Sequence, residues 1–442
     1  MTKKIATAGW GLYPVVTATV RRARYRRDLR DGTETTVLAQ GNCRSYGDAC
    51  LHDSVVSTLP LKHLLSFDAA RGLLRAEAGV TIEEIIRFAV PRGFFPPVTP
   101  GTKFTTLGGC IAADVHGKNH HADGSIAAFI RDLDMVLADG TAVRCSRRER
   151  PDLFWATLGG MGLTGFVYAA TVQLKKIGSA YIKQRVIKTA DFAETCRVFA
   201  ETQSQYTYSA AWIDCLKKGR RLGRGLVLLG EHADGVEAGK DPLQLHAEGK
   251  FDVPLFFPGF ALNTWSMGLF NRAFYHRQLR RERAGLVHYD PYFYPLDAIH
   301  RWNRIYGRKG FLQYQVVVPY RDGEAIMADL LSRIAARGIP SLLTVLKSFG
   351  PQSEGLLSFP TAGYTLALDI PLRDGSLIPF LRELNKTVVQ AQGRVYLAKD
   401  AILESEDFAA MYPHLDQFKA VKRKYDPQHR FRSRLSDRLG IT

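Results

Sequence analysis

Short apolar runs closed by tight-turn signals recur along this chain of 442 residues, and they point to strands joined by hairpin turns. Leu64–Phe67 and Leu73–Ala78 flank Asp68-Ala-Ala-Arg-Gly72, a hairpin signal. Leu133–Ala138 and Thr141–Ser146 flank Asp139-Gly140, which suits a two-residue turn. Phe166, Tyr168, Ala170, Val172 and Leu174 alternate with the period of a half-buried strand. Two helices interrupt this half. Thr81-Ile-Glu-Glu84 is a capping box that opens Ile82–Val90, closed by Pro91-Arg-Gly93. Pro151–Leu158 carries its proline in the first turn, where no N–H is missed.

The second half adds longer helices. Tyr208–Asp214, Gly225–Gly230, Phe311–Pro319, Ser341–Phe349 and Tyr364–Pro371 read as strands. Ile326, Met327, Leu330, Leu331 and Ile334 share one helical face, as do Leu377, Phe380, Leu381, Leu384 and Val388. The expected class is α+β, with helices covering one face of a sheet. Between about Glu231 and Tyr294 no period emerges from a stretch rich in glycine, proline and aromatics. A loop of that length is expected to be functional or mobile.

Size and charge bound the function. The length fits about two to three domains. No apolar run approaches the ~18 residues of a membrane-spanning helix. Lys plus Arg number 60 against 43 Asp plus Glu, and the net +17 favours phosphorylated ligands, anionic lipid surfaces or nucleic acid. The sequence has no zinc finger, helix-turn-helix or RNA-recognition signature, so nucleic acid is not expected. Six cysteines, none in a CxxC pair, suit free thiols in a reducing compartment. Gly9, Trp10, Gly11 and Pro14 break up Met1–Val20, which is expected to begin the folded domain rather than form a signal peptide. A protein that is cytoplasmic, or peripheral to the inner membrane, is the matching expectation.

Four clusters carry the chemistry. Gly160-Met-Gly162-Leu-Thr-Gly165 has the spacing of a nicotinamide-binding turn, but a helix precedes it and a strand follows, the reverse of that fingerprint. The acidic residue expected ~20 positions on is also missing. His116-Gly-Lys-Asn-His120-His121 could hold a metal on a helix, yet Gly117 and Asn119 are poor helix formers. A Lys and His loop beside an anionic ligand fits better, and no metal is expected. Gly41-Asn-Cys-Arg-Ser-Tyr-Gly-Asp48 follows the strand-like run Thr35–Ala39 and can form a nest of backbone amides facing phosphate. Taken alone, a plain surface turn is the commoner outcome. Pro100-Gly-Thr102 with Thr106-Leu-Gly-Gly109 can do the same, and the two loops together point to one long phosphate-bearing ligand lying across both.

GNCRSYGD, PGTKFTTLGGCIAADVHGKNHH and DLFWATLGGMGLTG occur in this order, which resembles the FAD-dependent oxidases of the vanillyl-alcohol oxidase superfamily, with its PCMH-type flavin domain. GWG at 9–11, AWIDC at 211–215, PLDAIHRWNRIYGRKGFLQYQ at 295–315, VLKSFG at 345–350, YLAKD and MYPHLDQF extend the likeness over nearly the whole chain. They lean toward the branch that acts on polyprenyl-phosphate-linked pentoses. The resemblance implies an FAD-binding domain in two parts, 1–190 and 395–442. Between them, 191–394 is an inserted α+β substrate domain with an antiparallel sheet covered by helices.

The resemblance also implies roles. Gly41, Asn42, Cys43, Arg44, Ser45, Tyr46, Gly47 and Asp48 would wrap the FAD diphosphate with Gly101 and Thr102. Thr106, Gly108, Gly109, Ala113 and His116 would line the ribityl chain and isoalloxazine, with Val167 and Tyr396 as further contacts. Arg44 stands where many members carry a histidine bonded to the flavin, so FAD is expected to be non-covalent. Lys399, Tyr46 and His116 would be catalytic. Lys118, Gln313, Gln315, Lys347, Thr365 and Ala367 would face the sugar with Lys399. Thr365 and Ala367 replace an asparagine and a cysteine of that branch, so the pocket wall differs.

The implied reaction takes hydride from C2 of a pentose such as decaprenylphosphoryl-ribose to flavin N5 and leaves a 2-keto sugar. A short-chain reductase would then act on that product in supplying envelope arabinose, with peripheral membrane contact. The alternatives are a free sugar, alditol or aldonolactone as substrate, or a flavoprotein without catalysis. Lys399 argues against the last.

Overall fold

The computed structural model describes residues 3–32, 36–239, 241–246 and 251–441. β1 (Lys3–Ala8) and β2 (Val15–Arg22) pair antiparallel, so the start of the chain is folded into the first sheet. β3 (Leu38–Gln40) and β4 (Ser54–Ser57) complete it in the order β1-β2-β4-β3. Thr35, placed in the expected strand-like run, lies outside the described residues.

β5 (Leu64–Asp68) and β6 (Leu73–Glu77) form the expected hairpin, with Gly72 at φ +65°. α1 (Ile82–Ala89) opens on the full capping box: Glu84 N–H donates to Thr81 Oγ1, and Thr81 N–H donates to Glu84 Oε2. Its Ile82, Ile85, Ile86 and Ala89 enter the core beside α2 (Leu107–Ala112). The short α3 (His120–Asp123) and α4 (Pro151–Thr157) follow. β7 (Ile130–Val136), β8 (Ala142–Ser146) and β9 (Phe166–Gln173) extend the hairpin into an antiparallel sheet, β5-β6-β9-β7-β8. Beyond the last register pair, Val136 and Ala142, Leu137 N–H donates to Thr141 O, so the turn is the three residues 138–140 rather than a two-residue turn. Asp139 Oδ1 accepts from Thr141 N–H there and builds an Asx turn in its place.

Eight antiparallel strands make the second body: β10 (Tyr181–Thr189), β11 (Tyr208–Ile213), β12 (Gly225–His232), β13 (Glu282–His288), β14 (Phe311–Pro319), β15 (Thr344–Phe349), β16 (Gly363–Pro371) and β17 (Arg394–Val395). Their order is β13-β10-β12-β11-β15-β16-β14-β17. β10, expected in the flavin part, lies inside this sheet because both β12 and β13 pair with it. α5 (Phe192–Thr202) follows β10.

The stretch without a period holds α6 (Thr264–His276) and the edge strand β13. Met267 and Tyr275 point inward while Trp265, Leu269 and Phe270 point outward, so apolar residues fall on both faces and cancel the periodic signal. α7 (Gly323–Arg337) and α8 (Leu377–Gln390) cover one face of the sheet with Leu330, Leu331, Leu381 and Leu384. After β17, α9 (Ser405–Met411) packs on α8 and β17, α10 (Leu415–Tyr425) returns to α4 of the first body, and α11 (Arg434–Leu439) follows. Lys422 Nζ is buried there against Asp426 Oδ2 and the carbonyls of Leu163 and Phe431. Among the described residues no helix is long and apolar enough to cross a membrane.

Candidate active site

The two glycine turns meet. Asn42 Nδ2 donates to Phe104 O at 2.8 Å, and a Cβ on Gly41 would stand 2.5 Å from Thr106 Oγ1. Gly47 crosses the chain after Lys399 so closely that a Cβ would lie 1.5 Å from Asp400 O, a fit only glycine allows. Cys43 sits between them in the left-handed region, at φ +48°.

Among the described residues the N–H groups of Asn42, Cys43, Arg44 and Ser45 find no protein acceptor, nor do those of Gly101 and Thr102. Ser45 Oγ and Arg44 Nε are buried without partners. Buried donors are costly to leave unpaired, and a diphosphate would satisfy Ser45 and Arg44 together with the half-buried loop amides of residues 42–45. The residues present therefore fit FAD. Thr106 Oγ1 accepts from Gly109 N–H and caps α2, while Gly108 packs too close to Ala78 for a side chain. Tyr396 OH donates to Ala113 O, and Val167 lies buried behind α2 with Leu107 and Cys110.

Two sequence clusters take supporting parts. Gly159 N–H and Met161 N–H donate to Ile111 O and Ala112 O, so the GxGxxG turn props the end of α2 between a helix and a strand. Asp48 turns away from the loop amides. Both its oxygens accept from Arg438 at 2.8 Å, and Arg438 also reaches Asp400, a clamp between the loop and the C-terminal helices. Among the described residues no group of three metal-ligating side chains forms.

The sheet supplies the opposite wall. Gln313 faces Asp369 and Gln315 faces Ala367 across β14 and β16, while Lys347 faces Thr365 across β15 and β16. Opposed residues share a face, so register puts all six on the side away from α7 and α8. Gln315 Nε2 lies 3.1 Å from His116 Nε2 and donates to it, which leaves His116 Nδ1 carrying the proton without a partner. Phe349, Tyr396 and Phe359 surround the His116 ring at 4.7, 5.1 and 5.5 Å between centroids. Burial, and then the Lys347 charge, hold its pKa well below the usual histidine range, so the imidazole is neutral.

Three partly buried lysines border this space. Lys399 Nζ sits over the Tyr46 ring, 3.7 Å from its centroid. Burial lowers Lys399 to about 7 against the opposing pull of Asp369. Lys347 is lowered to about 8 by burial, and Lys118 to about 7 by burial and Lys347. Lys118 Nζ donates to Tyr292 O and lies 4.3 Å from that ring's centroid. Burial keeps the Tyr46 phenol well above its ordinary range. Two surface clefts, about 360 and 860 Å³, are lined by none of these residues.

Two carboxylates enter the site that sequence reasoning missed. Asp369 is fully buried, accepts from Gln313 Nε2 with Oδ1, leaves Oδ2 unpartnered, and is pushed up to about 7 by burial. It is the one charged residue of the apolar run Tyr364–Pro371, a signal legible in the sequence. Asp297 accepts from Lys103 N–H at 2.8 Å, and burial raises it to about 6. The Arg44 guanidinium lies over Trp10, 4.1 Å from the ring centroid.

Two amide-lined loops opposite a sheet face that carries Gln313, Gln315 and Lys347 define an FAD-linked oxidoreductase of the vanillyl-alcohol oxidase type. The chain is similar to the decaprenylphosphoryl-beta-D-ribose oxidase of Mycolicibacterium smegmatis, 36% identical over 414 residues, 92% of this chain and 89% of that protein. It belongs to that family of FAD-dependent oxidases. Residues 25–146 match the FAD binding domain family and residues 372–439 the D-arabinono-1,4-lactone oxidase family. An uncharacterized protein from the mprA 5' region of Streptomyces coelicolor is 35% identical over 374 residues, 82% of this chain and 100% of that one. Human Delta(24)-sterol reductase is 28% identical over 226 residues, 50% of this chain and 42% of that protein. The protein binds FAD without a covalent bond and oxidises a CH–OH group through it.

Proposed function

We propose that the substrate is a pentose joined through phosphate to a polyprenyl lipid, as in decaprenylphosphoryl-ribose, oxidised at C2 to the keto sugar. The observation that carries this is the convergence of Lys118, Lys347 and Lys399 with Gln313 and Gln315 opposite the flavin loops. Glutamines suit sugar hydroxyls, and lysines suit a phosphate.

Gly41–Ser45, Gly101 and Thr102 would hold the FAD diphosphate, and Thr106–Gly109, His116 and Tyr396 would flank its ring end. When bound, FAD would supply the two-electron acceptor for the hydride, a proton with its two bonding electrons, that leaves the alcohol carbon. Lys399, near neutrality in its basicity, takes the hydroxyl proton as general base. Asp369 holds a carboxylate beside that lysine. Neutral His116, fixed by Gln315, and Tyr46, beneath Lys399, keep the reacting end in place. Lys118 and Lys347 bind the phosphate. The small side chains of Thr365 and Ala367 widen the wall beside the sugar. The keto product passes to a short-chain reductase, and the pair supplies arabinose for the cell envelope.

Anaerobic mixing of the FAD-loaded protein with polyprenyl-phosphate sugars and with free sugars tests this. Bleaching of the flavin absorbance is expected only with the lipid-linked sugars. The match of residues 372–439 to D-arabinono-1,4-lactone oxidase favours a second reading, an aldonolactone substrate. Equal bleaching by free lactones would establish that one instead.

A further inference from the structure

Helix α6 and the loop before it break the ordinary pattern of the surface. Seventeen large apolar side chains are exposed among the described residues, and nine of them fall between Phe251 and Leu279. Leu255, Phe260 and Trp265 are 75, 77 and 78% exposed. Single exposed apolar residues are unremarked on any protein, whereas a concentration of this kind marks an interaction surface.

The helix itself is well anchored. Met267, Asn271 and Tyr275 form its buried stripe, where Asn271 Nδ2 donates to Asp214 Oδ1 and Tyr275 OH donates to Thr189 O. Trp265, Leu269, Arg272 and His276 run along the opposite, exposed stripe at helical spacing. The outward stripe is thus apolar at its N-terminal half and basic beyond.

Charge identifies the partner. Arg272, Arg277, Arg280 and Arg283 are exposed and have no carboxylate partner among the described residues. The two acids of the stretch 251–283, Asp252 and Glu282, are already paired with Arg301 and Arg185. Arg277 lies 3.7 Å from the Phe274 ring centroid, and Arg308 lies 5.6 Å from that of Phe256, so cations are interleaved with aromatics. An apolar wedge with free arginines around it matches a bilayer with anionic headgroups.

The inner side of the same layer reaches the site. Leu262 and Met267 share an apolar cluster with Tyr46 and Phe311. Phe274 packs on Trp212, 4.7 Å between centroids, and Trp212 faces Val345, two residues from Lys347.

We propose that α6 and the loop from Phe251 to Phe260 dock the enzyme on an anionic lipid surface, the apolar half entering the headgroup layer and the arginines binding lipid phosphates. This deepens the reading of a lipid-linked substrate and rests on it for its purpose. The test is sedimentation of the FAD-loaded full chain with phosphatidylcholine vesicles, with and without phosphatidylglycerol, and no sugar substrate present. Binding is expected to the phosphatidylglycerol vesicles and to fall with added salt. Trp265→Ser with Leu269→Ser, and separately Arg272→Glu with Arg277→Glu, should each weaken it about tenfold or more. Both variants should keep their FAD and their melting temperature. Absent binding by the unmodified chain overturns the proposal, as does unchanged binding by both variants. Dimerisation that either variant abolishes, seen by analytical ultracentrifugation, assigns the face to a second copy and also overturns it. Because no sugar is present, vesicle binding persists even if the substrate reading fails.

Discussion

The Lys399 ammonium lies 3.7 Å from the centre of the Tyr46 ring, on the short turn whose next residue, Asp400, crosses Gly47. One contact thus joins Lys399, proposed as the general base, to the first glycine loop. Lys399→Ala is expected to keep its bound FAD and lose substrate-driven flavin reduction by about 10²–10⁴-fold, the usual range for a general base. Lys399→Arg should not rescue it, because a guanidinium does not give up its proton. Stopped-flow anaerobic reduction measures both. Normal reduction by either variant removes the base assignment.

The pH profile follows from the Asp369 and Lys399 pair. Burial lowers Lys399 to about 7, and the Asp369 carboxylate pulls the other way. A base must be unprotonated, so flavin reduction should rise with pH and reach half its maximum near 7. Asp369→Asn removes the charge that favours the ammonium. The midpoint should therefore move to lower pH, and a move upward contradicts the assignment. The two groups titrate together, so the unmodified midpoint belongs to the pair.

Local features of the fold were legible because their causes lie within a few residues. Thr81 and Glu84 make a capping box wherever they sit, and the strand Phe311–Pro319 shows its bounds in its own composition. The glycine turns were legible as motifs, although the groups that demand Gly41 and Gly47, Thr106 and Asp400, lie far along the chain. α6 was not, because its outward apolar residues answer to something other than the core. The place of Tyr181–Thr189 depends on pairing with Glu282–His288, about a hundred residues away. Asp48 reads as a loop residue until its partner, Arg438, is brought in from the other end of the chain.

Two glycines separate folding from flavin binding. Gly47→Ala forces a carbon to 1.5 Å from Asp400 O, so both chains must shift and Lys399 with them. Loss of FAD and of thermal stability is expected together. A Cβ on Gly101 meets nothing within 4 Å, so Gly101→Ala should leave the melting temperature of the FAD-free protein unchanged. In the diphosphate cradle the same methyl should raise the FAD dissociation constant about tenfold, or ~1.4 kcal/mol. Titration of flavin fluorescence reads this. An unaltered constant places the diphosphate away from that turn.

Arg438 ties the ends of the chain to the site, and its removal has a pH signature. It binds both oxygens of Asp48 and one of Asp400, two nearly buried carboxylates. Arg438→Met leaves them facing each other without a counter-charge, which is expected to destabilise the fold by about 3–5 kcal/mol near neutral pH. Burial already raises the Asp48 pKa, with Arg438 opposing the rise. Without the arginine the folded Asp48 carboxylate holds its proton more tightly than the unfolded one. An acid of raised folded pKa loses stability as pH rises above its unfolded value and regains it as pH falls. The deficit of the variant should therefore shrink between about pH 7 and pH 5. Urea midpoints at the two pH values measure this, and a deficit independent of pH would show that lost packing, rather than unpaired charge, is its cause. FAD retention should follow stability, because Arg438 fixes Asp48 at the end of the first glycine loop and Asp400 next to Lys399.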